Sequence, residues 1–255
     1  MTRTAVVTGG ASGIGLQIVK RLLADGWRAW SLDISPAPSD STGPSSVHAE
    51  MFNHLACDVS DVASVQAAFG QIETQSGKID ALICSAGVLC TGRLMDQPPE
   101  HIDMMMDVNI KGPWLVTRHA MPLLKKGSTP RQPARVVFIG SISGIRPKVG
   151  SGFYAASKAA LHVLAGVLAV ELADAGILVN AVAPGSVATP MLSDPSGPAG
   201  AGTGFQPSGM SPLGRIAEPD DVADVVLFFL GESSRYVTGT VLPVDGGTRA
   251  AFSSK

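Results

Sequence analysis

The stretch Thr8-Gly9-Gly10-Ala11-Ser12-Gly13-Ile14-Gly15 lies between a short apolar run, residues 4–8, and a segment of helical periodicity, residues 14–24. In a strand, glycine turn and helix of this kind, backbone N–H groups at the start of the helix bind phosphate, and glycines let it approach closely. The stretch therefore predicts a dinucleotide site. Its expected contacts are Gly9 making the turn, Gly13 admitting the pyrophosphate, Gly15 packing helix on sheet, Ser12 donating a hydroxyl, and Ile14 beside the cofactor.

The same alternation of apolar runs and helical periodicity continues to the end of the chain. Further strands are predicted at 27–33, 54–57, 81–84, 136–139, 178–183 and 241–245. Helices are predicted at 62–75, 99–126 (with a bend or restart at Gly112-Pro113), 154–175 and 219–230. Alternating β and α segments at this spacing indicate one α/β domain over residues 1–255, a doubly wound parallel sheet of about seven strands with helices on both faces.

The composition narrows the classes of function. Hydrophobic residues make up 45% of the 255 residues and charged residues 16%, which is typical of a folded globular chain. A net charge of −2 without a basic stripe argues against nucleic acid or an anionic membrane as partner. The three cysteines have no metal-ligand spacing, so we expect no metal site. With no leader pattern ahead of the first strand, we expect a cytoplasmic protein.

Two acidic positions predict contacts with the nucleoside. Asp33 ends the second strand, where a carboxylate accepts hydrogen bonds from both ribose hydroxyls and repels a 2′-phosphate, which favours NAD over NADP. The alternative is a strand-end carboxylate that caps a turn. Asp58 and Val59 follow the third strand and would meet the adenine amino group and ring face, although the same residues also suit a helix N-cap.

Tyr154 and Lys158 carry the predicted acid–base chemistry. At positions i and i+4 of one helix they share a face, which brings the ammonium beside the phenol. A phenol with a pKa of about 10 is a poor base at neutral pH, and two nearby cations, the lysine and an oxidised nicotinamide, would lower that pKa. The pair alone is common on amphipathic helices, so the interpretation depends on its surroundings.

Those surroundings are Gly140-Ser141-Ile142-Ser143-Gly144 at the end of the preceding strand, where ligands of open α/β sheets bind. Ser141 would hold a substrate oxygen against the tyrosine, with Ser143 nearby, unless both serines only form a turn. Asn109, just before the Gly-Pro break, would anchor a water linked to Lys158 through its carbonyl. Its alternative is a locally satisfied helix kink.

In this order and over nearly the whole chain, the motifs resemble those of the short-chain dehydrogenase/reductase family, which has a Rossmann-type fold. The resemblance implies that Tyr154 is the general acid/base, that Lys158 lowers its pKa and binds the nicotinamide ribose, and that Ser141 positions the substrate. Asn109 would complete a proton relay through water. The family's other cofactor contacts correspond to Ala86, Gly87, Pro184, Gly185, Val187 and Thr189.

One stretch departs from the family pattern. Cys84-Ser85-Ala86-Gly87 stands where the family usually has Asn-Asn-Ala-Gly, which puts the family's detailed contacts there in doubt. Cys84 itself is interpreted as a small core residue and not as a reactive thiol.

Two stretches of the chain are expected to contact the substrate, one after the sixth predicted strand and one after the fifth. Residues 191–212, dense in Gly, Pro and Ser and beginning with Met191, correspond to the family's flexible substrate lid. Arg146-Pro147-Lys148-Val149-Gly150 shows a weaker resemblance to 2,3-dihydro-2,3-dihydroxybenzoate dehydrogenases, which implies a cyclic or carboxylated alcohol that meets Lys148 or Arg146. The alternative is a pair of solvated loop cations.

The sequence thus predicts an NAD-dependent oxidoreductase that transfers hydride between the cofactor and a secondary alcohol or ketone. The alternatives are an NADP-dependent carbonyl reductase and a non-catalytic NAD-binding sensor or scaffold. By resemblance we expect a homotetramer, for which Leu161, Leu164, Leu168 and Val170 would suit an interface helix or, equally, the core of a monomer.

Overall fold

The computed structural model describes residues 2–39, 43–126, 128–129, 131–193 and 209–251. Seven strands form one parallel sheet in the order β3-β2-β1-β4-β5-β6-β7. The strands are β1 (Thr4–Thr8), β2 (Arg28–Asp33), β3 (Phe52–Ala56), β4 (Ala81–Cys84), β5 (Ala134–Ile139), β6 (Ile177–Pro184) and β7 (Val241–Val244). The predicted doubly wound α/β fold is confirmed, and each predicted strand lies within three residues of its observed bounds.

The α-helices connect successive strands. They are α1 (Gly13–Ala24), α2 (Val62–Ser76), α3 (Pro99–Met106), α4 (Gly112–Lys125), α5 (Gly152–Glu171), α6 (Pro190–Ser193) and α7 (Pro219–Leu230). The predicted restart at Gly112 is present, preceded by a π-helical segment, Asp107–Lys111. The short helix α6, which begins one residue before the expected lid, was not predicted, and neither were the 3₁₀ segments, such as Ser46–Met51 ahead of β3.

Apolar residues cover both faces of the sheet because neighbouring residues of a strand point to opposite sides. On β1, Val6 packs with α2, α4 and α5, whereas Ala5 and Val7 pack with α1 and α7. A sheet covered on both faces needs apolar runs without polar alternation, as β1 and β4 have. The two cores fix the helices so that their ends and the strand ends converge at one edge.

The direction of winding reverses between β1 and β4, which are neighbours in the sheet. Thr8 pairs with Cys84 at the carboxyl ends of these two strands. In open α/β sheets a crevice forms outside the carboxyl ends at such a reversal, and ligands bind there.

Among the described residues, α5 alone is long and apolar enough to cross a membrane by length and composition. It packs against β6 and the turn at Ile142–Gly144, and the core helix of a globular domain passes the same test. The absence of a membrane-spanning segment therefore stays a prediction.

Candidate active site

A cavity of about 530 Å³ opens at the carboxyl edge of the sheet, beside the reversal between β1 and β4. Apart from Asn109 and Arg146, it brings together all the residues predicted for the site, which come from positions 9 to 191 of the chain. These are Gly9, Ser12, Gly13, Ile14, Gly15, Asp33, Asp58, Val59, Ala86, Gly87, Ser141, Ser143, Lys148, Tyr154, Lys158, Pro184, Gly185, Val187, Thr189 and Met191. Asn109 is fully buried and lies behind the wall of the cavity.

The glycine turn after β1 leaves the start of α1 open to a ligand. Gly9 has φ +68°, and a Cβ there would lie 2.7 Å from the backbone nitrogen of Ala86. A Cβ at Gly15 would overlap the carbonyl oxygen of Gly9. The N-cap side chain of Ser12 makes no hydrogen bond to the first turn of α1, whose N–H groups have no partner within the helix. A close cradle of this kind fits the pyrophosphate of a dinucleotide.

Asp33 lies at the carboxyl end of β2 and lines the cavity. Its two carboxylate oxygens accept hydrogen bonds from the backbone N–H groups of Ala11 (3.0 Å) and Ser35 (2.9 Å). The carboxylate therefore caps a turn, as the alternative interpretation holds, and at the same time faces the space beside the glycine turn. Each carboxylate oxygen has further acceptor capacity for a ribose hydroxyl.

Asp58 and Val59 lie on the same wall, after β3. One oxygen of Asp58 accepts from the N–H (2.8 Å) and the hydroxyl (2.6 Å) of Ser60. The N-cap of α2 is Asp61, which accepts from Ala63 N–H at 2.9 Å. Asp58 thus shapes the turn ahead of the cap, and its carboxylate borders the cavity where an adenine would lie.

Tyr154 and Lys158 project from one face of α5 toward the end of β5. The Tyr154 hydroxyl is hydrogen-bonded to the side chain of Ser141. Lys158 Nζ lies 5.7 Å from the centre of the Tyr154 ring and donates to the backbone carbonyl of Ile139 at 3.0 Å. Ser141 Oγ also accepts from Ser143 N–H at 3.1 Å, so this serine forms the turn and contacts the tyrosine.

The protein alone raises the pKa of Tyr154, and the predicted lowering by the lysine together with an oxidised nicotinamide stays a prediction. Burial disfavours the phenolate and raises that pKa above its usual value, and the hydrogen bond from Ser141 opposes the rise only in part. Burial likewise lowers the pKa of Lys158 to about 8. Because this pKa lies close to neutral pH, charges or hydrogen-bond acceptors that a ligand brings into the cavity would change the protonation state of Lys158.

Asn109 occupies the middle of the π-helical segment and braces the site from behind. Its Oδ1 accepts from Val88 N–H (2.9 Å), and its Nδ2 donates to Val88 O (2.9 Å) and Ser157 Oγ (3.1 Å). A Cβ at Gly87 would lie 3.2 Å from Asn109 Oδ1 and 3.4 Å from Lys158 Nζ. The side chain joins the β4 end to α5, while its part in a water relay stays a prediction.

The departure at Cys84-Ser85 leaves this edge well ordered by other contacts. Cys84 is fully buried, and burial raises the pKa of its thiol to about 12, which agrees with a core residue that is inert as a nucleophile. Ser85 and Ala86 donate their N–H groups to Thr8 Oγ1, each at 3.2 Å. A threonine hydroxyl from β1 therefore supports this turn through its backbone.

At the expected substrate end, Ser143, Lys148 and Met191 line the cavity. Burial lowers the pKa of Lys148 below its usual value. Two apolar side chains that the sequence analysis did not single out, Leu89 and Met104, also line the cavity. No local motif marks them, because their position follows from how the loop after β4 and α3 pack. Of the predicted lid, residues 194–208 lie outside the described part of the chain.

Comparisons with known proteins agree with this geometry. A family model described as enoyl-(acyl carrier protein) reductase matches residues 9–249. Oxidoreductase UcpA of Salmonella typhimurium is 36% identical over 253 residues, which covers 96% of this chain and 94% of UcpA. The chain belongs to the short-chain dehydrogenase/reductase family, and the predicted resemblance is confirmed.

Two solved structures show nicotinamide cofactors bound to similar folds. The 3-ketoacyl-(acyl-carrier-protein) reductase from Brucella melitensis, complexed with NADH, matches with TM-score 0.84 and 27% identity over 97% of this chain and 98% of that one. ElxO with NADP bound matches with TM-score 0.86 and 27% identity over 98% of this chain and all of that one. The chain is therefore an oxidoreductase of a fold that holds nicotinamide cofactors.

Proposed function

We propose that this protein transfers hydride between NAD(H) and a secondary alcohol or ketone, with Tyr154 as general acid/base. The observation that carries the proposal is the Tyr154 hydroxyl hydrogen-bonded to Ser141 inside a cavity that the glycine turn of α1 also lines. When bound, the nicotinamide ring would supply or accept the hydride. The protein's own part is to hold the substrate oxygen between two hydroxyls and to move one proton.

The proton transfer assigns a role to each side chain. Ser141 Oγ, with its orientation set by Ser143 N–H, would donate to or accept from the substrate oxygen. Tyr154 would take the alcohol proton during oxidation and return it during reduction. Lys158, close to the tyrosine ring and with its pKa lowered to about 8, would favour the phenolate whenever it carries its proton.

A broad spectrophotometric assay tests this proposal. Cyclohexanol and 4-hydroxycyclohexanecarboxylate are offered with NAD and then NADP, and the reduced-nicotinamide absorbance is followed. Tyr154→Phe is expected to lower kcat by about 10²–10⁴-fold with little change in cofactor affinity, because the phenol acts only on the proton.

The matched control is Tyr236→Phe, since Tyr236 is the other tyrosine of the chain and is fully exposed. It should leave kcat unchanged. Equal activity of wild type and Tyr154→Phe would overturn the assignment. Tight NADH binding with no turnover of any alcohol would favour the non-catalytic sensor.

The preference for NAD over NADP rests on Asp33, which borders the cavity beside the glycine turn. A 2′-phosphate placed next to this carboxylate would meet like charge, which costs several kcal/mol where solvent is excluded. Asp33→Ser is expected to shift the kcat/KM ratio toward NADP by about tenfold or more. A wild-type enzyme that prefers NADP would support the carbonyl reductase alternative.

The proposed substrate is a cyclic or carboxylated alcohol, with Lys148 near the acid group. Lys148 is half-buried at the cavity wall, where an ammonium attracts a carboxylate more strongly than at the open surface. Leu89 and Met104 offer apolar contact to a ring or chain. Both features suit an alcohol with a hydrophobic body and one acidic end.

The two probe alcohols differ only by a carboxylate, so they isolate the contribution of Lys148. Lys148→Ala should lower kcat/KM for 4-hydroxycyclohexanecarboxylate by about tenfold, roughly one charge-assisted hydrogen bond, and leave cyclohexanol unchanged. Lys125→Ala, an exposed lysine of α4, serves as the charge control. Equal losses on both alcohols would remove the carboxylate from the proposal.

We also propose a homotetramer. Leu161 is buried in the core, and Leu164 and Leu168 pack against it, so these three serve the monomer. Val163, Val167 and Val170 are exposed at 68%, 47% and 80% and lie along one side of α5 at spacings of four and three residues. Light scattering of Val167→Glu should show smaller particles than wild type if this face joins subunits.

A further inference from the structure

His162 lies one helical turn beyond Lys158, so Tyr154, Lys158 and His162 form one stripe along α5. Its imidazole lies against two glycines that flank the Ser141 turn. A Cβ at Gly140 would overlap His162 Nε2, and a Cβ at Gly144 would lie 2.9 Å from His162 Cε1. The ring therefore fills the space that both glycines leave, directly behind the serine.

The ring also bonds to the turn that it supports. Ser141 donates its backbone N–H to His162 Nε2 over a long distance of 3.4 Å. On the opposite side of the same residue, Ser141 Oγ accepts from Ser143 N–H and is hydrogen-bonded to Tyr154. The backbone N–H of Ser141 is thus bonded to His162, and its hydroxyl is bonded to Ser143 and Tyr154.

This arrangement requires a neutral imidazole, because only an unprotonated Nε2 accepts a hydrogen bond. Burial and the charge of Lys158 together lower the pKa of His162 to about 4, so the ring is neutral across the physiological range. Lys158 meanwhile donates from its Nζ to the carbonyl of Ile139, the last residue of β5 and the one before Gly140.

We propose that His162 is a positioning residue for the reaction, since its imidazole keeps the Ser141 turn in register with Tyr154. The inference rests on the proposed function, because it concerns how the serine hydroxyl is aimed at the substrate oxygen. His162 is not among the residues that line the cavity, so it would act through the Ser141 backbone.

Two variants separate packing from hydrogen bonding. His162→Leu keeps an apolar filler but removes the acceptor, and His162→Gln retains an acceptor of similar reach. With NAD and the better of the two probe alcohols, His162→Leu should lower kcat about tenfold, the equivalent of one hydrogen bond, with NADH affinity within twofold of wild type. His162→Gln should recover most of that loss.

A double-mutant cycle with Ser141→Ala distinguishes positioning from a general loss of stability. Once the serine hydroxyl is gone, His162→Leu should cost little further activity, because both changes remove one function. Leu124→Val, a buried change in α4 that is remote from the turn, matches the loss of packing and should leave kcat unchanged. Full additivity in the cycle would overturn the proposal.

Hydrogen exchange tests the inference without any turnover. The amides of 141–144 should exchange about tenfold faster in His162→Leu than in wild type and regain protection in His162→Gln. If this change appears while no alcohol is turned over, the proposed function fails and the support of the turn stands. Unchanged protection in His162→Leu would refute the positioning role whatever the activity.

Discussion

The two walls of the cavity are built by opposite means. The wall formed by β1 and α1 presents backbone and empty space, with glycines where any side chain would collide. The wall formed by β5 and α5 presents functional side chains, Ser141, Tyr154 and Lys158, supported by Asn109 and His162.

The difference predicts which kind of substitution each wall tolerates least. The glycine wall is intolerant of added atoms, since a new side chain there would collide with the backbone. The side-chain wall is intolerant of lost atoms, since its groups make directed hydrogen bonds and, in the proposed function, move a proton. Additions at one wall and deletions at the other should therefore give different signatures in binding, stability and rate.

Adding one methyl group at the glycine wall should have the largest effect. In Gly15→Ala the new Cβ would overlap the carbonyl oxygen of Gly9 and force α1 away from the turn. We expect a loss of several kcal/mol in unfolding free energy and no measurable NADH binding, checked by urea titration and by NADH fluorescence.

The matched control is Gly70→Ala, also a glycine in a helix, where an added Cβ would meet nothing within 4 Å. It should stabilise the protein by about 0.5–1 kcal/mol, because alanine is the better helix former. If both variants behave alike, the contrast between the two walls does not hold.

Deleting a side chain at the other wall should come next in size. Asn109→Ala removes three hydrogen bonds and leaves the N–H and C=O of the half-buried Val88 without that partner. We expect a loss of about 2–4 kcal/mol in unfolding free energy, with NADH affinity reduced less than in Gly15→Ala. A loss below about 0.5 kcal/mol would show that the π-helical segment needs no side-chain brace.

The smallest expected effect is the response of the side-chain wall to acid. The folded-state pKa of His162, about 4, lies below the usual histidine value of about 6.5, so the unfolded chain binds its proton more readily. Stability from this residue is complete above about pH 6.5 and is lost as pH falls through 4, by about 1–2 kcal/mol because solvent screens part of the shift at this half-buried ring. His162→Gln should flatten the stability profile in that window, and an unchanged profile would contradict the buried neutral ring.

Much of this organisation was predictable from the sequence because it is local. The glycine turns and apolar strands predicted the fold class, and the glycine turn together with the i, i+4 pair of Tyr154 and Lys158 predicted both walls of the cavity. The π-helical segment around Asn109 was seen only as a helix break, since its hydrogen bonds run to the distant loop at Val88 and to Ser157.

Other features depend on tertiary packing and left weaker signals. The spacing from Lys158 to His162 was visible, but its meaning depends on Gly140 and Gly144 facing that ring. Burial raises the pKa of Tyr154 in the protein alone, a cost that the sequence does not display, while its predicted lowering by the lysine and an oxidised nicotinamide together stays a prediction.

The strand order has a consequence for the chain as it leaves the ribosome. Residues 2–56 supply β1, β2 and β3, yet the neighbour of β1 on the other side is β4, which begins at Ala81. Until β4 has emerged, β1 is an open edge and Gly9 lacks the Ala86 backbone against which it rests. The glycine turn is therefore encoded first but completed late, after about a third of the protein has been synthesised.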